Sequence, residues 1–321
     1  MTPLRVVGTG LYLPDRVETA ADLAPRVGRD EAWIREVAGV AERRIADLPV
    51  AEMAARAARA ALGDGPPPDA VINASLTPVQ LVPDTGVFVA QALGLDGVPA
   101  FSVHATCLSF LVGAQVAAGL LHGGVARRVL VVSSEIATIG RDFAEPESAV
   151  LLGDGAGAAV FERPVAGASS ALLGFRMATF PDGAGLAEIT GFGTRFHPDS
   201  PETGPAHHRF HMRGGRLYRW TLPRVQRLLD ALFADVGLGP ADVDLVVPHQ
   251  ASGPALAALG GLGFPPHKVV DILGRAGNCI AASIPMALAT AAAEGRLRRG
   301  DTVLLLGTGA GVSVAAALLR W

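Results

Sequence analysis

The stretch FSVHATCLSFLVGAQVAAGLL, Phe101 to Leu121, decides the fold. It opens as a short apolar strand, Phe101 to Val103, and turns at Cys107 into a helix of about 15 residues. Only Ser109 and Gln115 interrupt the apolar faces of that helix before His122-Gly123-Gly124 ends it. A helix without a polar face has to be wrapped by protein on every side. Cys107 stands where it begins. Unpaired backbone N–H groups and the positive end of the helix dipole favour an anion there, hence thiolate over thiol. The position suits a small buried hydrophobe equally well, the usual fate of a free cysteine. The rest of the chain has to decide.

The chain has 321 residues, beyond the roughly 250–300 at which a single core stops growing, so two packed halves are expected. Half the residues are hydrophobic, aromatics are few, and there are 39 glycines, a composition for close helix-on-sheet packing. With a net charge of −3 and no basic run, nucleic acid is excluded as a partner. The two cysteines make no disulfide framework, and a reducing cytoplasm is expected. The N-terminal apolar stretch is too short and too glycine-broken for a signal peptide. Thr302 to Leu319 carries no charge and reaches membrane-span length, about 18 residues. Gly307, Gly309 and Gly311 break it, so two buried strands joined by a glycine turn are expected, and no membrane.

Around the Cys107 unit, Leu4 to Leu13, Asp69 to Ser75 and Arg128 to Ala137 read as strands, and Val50 to Leu62 and Asp84 to Leu93 as helices. Ala149 to Glu162 reads as strand–turn–strand and closes a first half, residues 1–167. In the second half, 168–321, Ala171 to Phe180 and Val243 to Pro248 read as strands and Leu217 to Val236 as an amphipathic helix. Ala281 to Glu294 reads as a helix of small residues. Between them Pro181 to His211 is a long Gly/Pro/His-rich loop, a kind usually functional or mobile. Leu151-Leu152-Gly153-Asp154-Gly155-Ala156-Gly157 recurs as Leu305-Leu306-Gly307-Thr308-Gly309-Ala310-Gly311. The copies lie too far apart for a solenoid. They predict two duplicated α/β halves packed as layers.

Two further positions can carry chemistry. His249 follows the apolar strand Leu245 to Val247, and Asn278 precedes the last long helix. Sites in α/β sheets form beyond the carboxyl ends of strands. Pro248-His249-Gln250-Ala251 and Gly277-Asn278, with Ala281-Ala282-Ser283-Ile284-Pro285 behind, resemble the ketoacyl-acyl-carrier-protein synthase III family of the thiolase fold. Gly153-Asp154-Gly155-Ala156-Gly157 and the segment from Trp33 to Glu42-Arg43-Arg44 fit the same pattern, in the family's order and over nearly the whole chain. The resemblance implies an α/β thiolase fold in αβαβα layers, a homodimer, and a Cys-His-Asn triad at Cys107, His249 and Asn278. It places the oxyanion hole on the backbone N–H groups of Cys107 and Ala310.

That chemistry suits those residue types. A sulfur nucleophile takes the acyl group from a thioester and holds it covalently. A malonyl thioester then loses carbon dioxide, and N–H donors from His249 and Asn278 hold the enolate oxygen, each worth about 2.7–4 kcal/mol. Acyl thioesters of coenzyme A or of an acyl carrier protein are the implied substrates, with a malonyl thioester, and neither metal nor cofactor is needed. A transferase passing the acyl group to an alcohol, an amine or water keeps the first step. A degenerate partner that only binds acyl chains is a third reading, and the intact triad speaks against it.

Several positions depart from the family pattern. Leu108 is expected to crowd the chamber beside the cysteine, and Val82 to contact the partner's acyl tunnel. Trp33 is expected to stack on adenine. The arginines expected after it and after the His-Gln motif are Val37 and Pro254, so Arg213, Arg216 and Arg219 are the candidate replacements for gripping phosphate, Arg213 and Arg216 foremost. His207, His208 and His211 lack a matching acidic or thiolate ligand, and a solvated loop is expected rather than a metal site. Asp154 reads as a turn residue and Cys279 as packing. Glu135, a charge after a buried strand, requires a partner.

Overall fold

A computed structural model describes all 321 residues, Met1–Trp321. In chain order the first half contains β1 (Thr2–Pro3), β2 (Arg5–Tyr12), β3 (Val17–Thr19), α1 (Ala20–Val27), α2 (Glu31–Ala38), β4 (Glu42–Arg44), α3 (Val50–Leu62), β5 (Ala70–Asn73), α4 (Thr85–Leu93), β6 (Ala100–Ser102), α5 (Ser109–His122), β7 (Arg128–Ile136), α6 (Pro146–Ala149) and β8 (Asp154–Glu162). The second half contains β9 (Ala171–Thr179), β10 (Ala187–Glu188), β11 (His211–Met212), α7 (Gly214–Val236), β12 (Leu245–Pro248), α8 (Gly253–Ala257), α9 (Leu273–Ala276), α10 (Ser283–Ala293), β13 (Thr302–Gly309) and β14 (Ser313–Arg320).

Two five-stranded sheets form, in the orders β2-β8-β7-β5-β6 and β1-β9-β14-β13-β12. β5 runs parallel to β6 and β7 while β7 and β8 are antiparallel; β12, β13 and β14 repeat that pattern in the second sheet. An isolated parallel bridge from Val246 to Val269 stands where β6 stands in the first sheet. The division into halves differs from the expected boundary at one place: Thr2–Pro3 pairs with Leu172 and Ala171, so the chain's first strand belongs to the second sheet.

The layers follow from where apolar faces lie. Alanine-rich α3 packs on the outside of the first sheet, its backbone directly over β2. A Cβ on Gly8 or Gly10 would stand 2.0 or 2.2 Å from carbonyl oxygens of α3, so no larger residue fits there. α7 lies outside the second sheet on Val225, Leu228, Leu229, Leu232 and Phe233. α5 and α10 sit between the sheets, in the largest core cluster, where their lack of a polar face is required. The order is helix, sheet, helix, sheet, helix, and no helix is long and apolar enough to cross a membrane.

The duplication is real, but the sequence repeat does not mark equivalent places. Leu151 to Gly157 leads into β8, whereas Leu305 to Gly311 ends β13 and forms the turn after it. β8 corresponds to β14, one strand later. Each copy is glycine-rich because it abuts the middle layer: Cβ atoms on Gly155 and Gly157 would meet Met286 and Pro285, and on Gly307 and Gly309 would meet Leu108 and Thr106. Residues 149–153 form no strand, and Glu42–Arg44 form β4, paired with β3.

Candidate active site

Each half enters the middle layer through the same device. A one-turn 3-10 segment, Thr106–Leu108, precedes α5, and another, Ile280–Ala282, precedes α10. Thr106 and Ile280 open them with φ of 51° and 47°. A β-branched residue in that region costs about 1–3 kcal/mol and persists only where the surroundings fix it. This turn puts Cys107 at the entrance to α5.

Cys107, His249 and Asn278 line one cavity of about 1650 Å³, with residues from both halves in its wall. His249 comes straight off β12, its N–H donated to Leu306 O at 2.8 Å, and is almost fully buried. Its Nδ1 meets no partner. Leaving a bare lone pair there costs less than leaving an N–H, so the tautomer assigned is protonated at Nε2. Asn278 is tied on three sides. Its N–H donates to Leu151 O, its Oδ1 accepts from Ile280 N–H at 2.9 Å, and its Nδ2 donates to Ala251 O at 3.2 Å. One amide hydrogen remains for a ligand. The residue is both turn former and donor.

The backbone N–H groups of Ala310 and of Cys107 itself lie near enough to the Cys107 sulfur to favour its anion. The expected thiolate, however, is not what the enclosure favours. Burial, then the charge of Glu135, pushes the Cys107 thiol from 9.0 up to about 12, against those two N–H groups. A helix N-terminus returns only about 0.3–1 kcal/mol, too little to offset desolvation of a full charge. The same burial depresses the His249 imidazole from 6.5 to about 4. Both shifts favour the neutral form.

The other candidates fall in varied places. Leu108 is fully buried and is not itself in the cavity wall; it packs directly behind Gly307 and Gly309, which are. Val82 is 76% exposed beside Leu81, outside the cavity wall. Trp33 is not in the wall either, and the Arg29 guanidinium lies 5.2 Å from its ring centroid. Val37 and Pro254 do line the cavity. Arg213 and Arg216 are exposed and do not, whereas Arg219, one turn further along α7, does. Helical geometry explains the difference, since 219 follows Tyr218 and Leu222 onto the cavity side. No group of three or more His, Cys, Asp or Glu side chains is placed to hold a metal ion. His207 and His208 instead stack on Phe196 and Phe192.

Sequence reasoning missed His104, which lines the cavity with an imidazole shifted below its ordinary value by desolvation. The signal available was a polar residue three positions before the cysteine. Asp154 is fully buried, accepting from Ala46 N–H, Thr138 N–H and the Thr138 hydroxyl at 2.7–2.9 Å, a structural tie between loops.

A five-layered fold with a cysteine at the entrance to one central helix, and His and Asn beside the other, defines a thiolase-fold enzyme. Comparison with known proteins narrows it. Residues 101–185 match the family model described as 3-oxoacyl-[acyl-carrier-protein] synthase III, and residues 233–321 the model of its C-terminal part. A beta-ketoacyl-[acyl-carrier-protein] synthase III of Desulfitobacterium hafniense is 36% identical over 329 residues, covering 100% of this chain and 98% of that relative. The Synechocystis enzyme of the same name is 34% identical over 99% of this chain and 98% of its own length. Among solved structures, the 3-oxoacyl-[acyl-carrier-protein] synthase III of Aquifex aeolicus superposes with a TM-score of 0.90 at 33% identity, covering 99% of this chain and 100% of its own. The priming beta-ketosynthase of the R1128 polyketide pathway gives 0.88 at 29%, over 98% and 96% of the two chains. The chain belongs to the beta-ketoacyl-[acyl-carrier-protein] synthase III family.

Proposed function

We infer that this chain is a condensing enzyme that loads an acyl group on Cys107 and joins it to the carbanion of a decarboxylated malonyl thioester. One observation carries the reading: nucleophile, imidazole and carboxamide, drawn from both halves, open into one shared cavity. In the first step the Cys107 sulfur attacks the thioester carbonyl. The oxyanion rests on the N–H groups of Cys107 and Ala310, and the thiol proton leaves on the departing thiol. In the second step the bond from the malonyl thioester to its carboxylate breaks and carbon dioxide departs. His249 and Asn278 donate to the enolate oxygen, its carbon attacks the acyl group, and Cys107 sulfur leaves and regains a proton from water.

A homodimer fits the same reading. β6 is an edge strand, paired only with β5, and the neighbouring Leu81, Val82 and Val87 are 90, 76 and 46% exposed. An uncovered edge beside apolar side chains is what a second copy would bury.

The test is Asn278→Ala, offered a panel of acyl-CoA and acyl-carrier thioesters with a malonyl thioester. Intact mass should show Cys107 still acylated, while carbon dioxide release and chain extension fall about 10²–10³-fold for the donor lost. Cys107→Ala should take up no acyl group. Acyl uptake by wild type without carbon dioxide release, and with transfer to an alcohol or amine, would replace condensation with simple acyl transfer.

A further inference from the structure

His211 belongs to a histidine cluster that is not placed to hold a metal, and it opens β11 opposite Glu188 of β10. Between those two strands residues 189–210 make one long excursion, whose Ile189, Phe192, Pro205, His208 and Phe210 wall the cavity. The His211 ring meets an oxygen at each nitrogen: Nδ1 lies 2.7 Å from Glu145 Oε1 and Nε2 lies 3.0 Å from Ala206 O. Either neutral tautomer would turn a lone pair on one of these oxygens, whereas the imidazolium donates to both. Glu145 is 39% exposed and does not supply the missing hydrogen, because a carboxyl loses its proton about two pH units below an imidazole. Ala206 lies inside the excursion, in the one-turn 3-10 segment Pro205–His208. Glu145 lies outside it, directly before α6, whose Ala149 is fully buried. Two bonds alongside run the same way: the Phe210 N–H donates to Gly140 O at 2.8 Å, and the Arg209 guanidinium to Ile139 O at 3.0 Å.

We propose that His211 is a positioning residue: held as the imidazolium, it latches the 189–210 wall of the cavity to Glu145, and loss of its second proton loosens that wall. The proposal rests on the reading of the cavity as a substrate site only for its bearing on catalysis. The charged groups around the ring are Glu145 and Asp142 before α6, and Glu188 opposite on β10, which lies 3.5 Å from Arg195. Arg209 turns away to Ile139 O. The bond to Glu145, then that to Ala206, raises the imidazolium above its ordinary 6.5. The latch is therefore closed at lower pH and opens as pH rises through the His211 titration. A half-exposed ion pair contributes little, about 1 kcal/mol at most, so its release should loosen the wall about fivefold rather than unfold it.

The experiment pairs two measurements on the full-length protein from about pH 5.5 to about pH 9, a range that spans imidazole titration. Nitrogen-15 NMR of the His211 ring should show both nitrogens protonated near the low end, with a titration above that of a free imidazole. Hydrogen exchange, corrected for the pH dependence of unprotected amides, should show the bonded Gly191 and Phe210 amides losing about fivefold in protection across that same titration, while α10 does not change. His211→Gln should hold the loosened level at every pH. Glu145→Gln, which keeps an oxygen acceptor but not the charge, should move the titration and the loss of protection to lower pH together. A ring with one bare nitrogen at the low end, or wall protection that ignores the titration or falls equally in His211→Gln, overturns the proposal. If His211→Gln fails to melt cooperatively, the parent and Glu145→Gln profiles decide. Condensation is not part of this readout, so an inactive enzyme with the pH step would sink the functional reading and leave the latch standing.

Discussion

Gly307→Ala tests whether the catalytic turn is held by packing through Leu108. Gly307 lies on β13 with no side chain between that strand and the Cys107 turn. A Cβ there would stand 2.8 Å from Leu108 Cδ2, and 3.4 Å from both His249 Cβ and Ile284 Cδ1. Ordinary carbon contacts begin at about 3.5 Å, so Leu108 has to retreat by more than half an ångström. It is fully buried and has nowhere open to go. Overpacking of this kind costs about 1–3 kcal/mol. Leu108 follows the nucleophile directly, so the displacement also moves Cys107. A misplacement approaching 1 Å can cost about 10²-fold in rate. The assay is a double-mutant cycle in urea with Leu108→Val, which loses about 1–2 kcal/mol for the methylene removed. With Cδ2 gone, Gly307→Ala should cost little, giving a coupling of about 1–2 kcal/mol in favour of the double variant. If it costs as much in the Leu108→Val background as in the parent, the contact does not govern this turn, and the reasoning fails.

Two further perturbations follow from buried charge. His249 titrates at about 4 in the folded chain against 6.5 unfolded, so between those values only the unfolded chain takes up the proton. Stability owed to this group is complete above pH 6.5 and falls with pH down to about 4, by as much as about 3 kcal/mol. His249→Asn should therefore gain on wild type in urea melts as pH drops through that window; a constant difference refutes it. Arg43 is wholly buried with Nε, Nη1 and Nη2 all unpartnered, and burial lowers it to about 10. Arg43→Met should be neutral or stabilising by about 1–2 kcal/mol, whereas Arg141→Met, which leaves buried Glu18 one partner fewer, should destabilise by about 3 kcal/mol. Thermal melts of the two variants check the contrast, and equal losses would refute it.

What was legible in the sequence was set by local rules. The all-apolar run after Cys107 could only be a wrapped helix, and it is α5 between the sheets. β12 delivers His249 and the turn before α10 delivers Asn278, as strand and helix boundaries allow. The misreadings share one cause, which is that direction and enclosure are tertiary. Leu108 stands next to the nucleophile, yet its side chain is buried behind Gly307 and Gly309 instead of standing in the cavity wall. Of the three arginines only Arg219 reaches the cavity, because Arg216 lies on the face of α7 opposite Tyr218, Leu222 and Val225 while Arg219 borders theirs. Glycine spacing repeated in the two halves because both strands abut the middle layer, not because the repeats are equivalent. Glu135 declared its need for partners, but nothing in one sequence could say that they lie on Leu76 and Thr77.

Burial also works against the expected thiolate, and that bears on the proposed reaction. Burial penalises the charged form of every group, so the same walls that push Cys107 up push His249 down. Neither correction is separate from the other. A thiolate–imidazolium pair would have to be held desolvated before substrate arrives. A neutral pair carries no such cost, and exchange of one thioester for another needs no net charge, because the thiol proton of Cys107 leaves on the departing thiol. In the decarboxylation the negative charge begins on a carboxylate and ends on an enolate oxygen. An imidazolium would hold the carboxylate as firmly as the enolate and so slow its loss, whereas fixed neutral donors favour the charge where it develops. On this reasoning, opening the chamber to water at neutral pH should lower the Cys107 titration and raise that of His249 together, making the thiol more nucleophilic while weakening the condensation step.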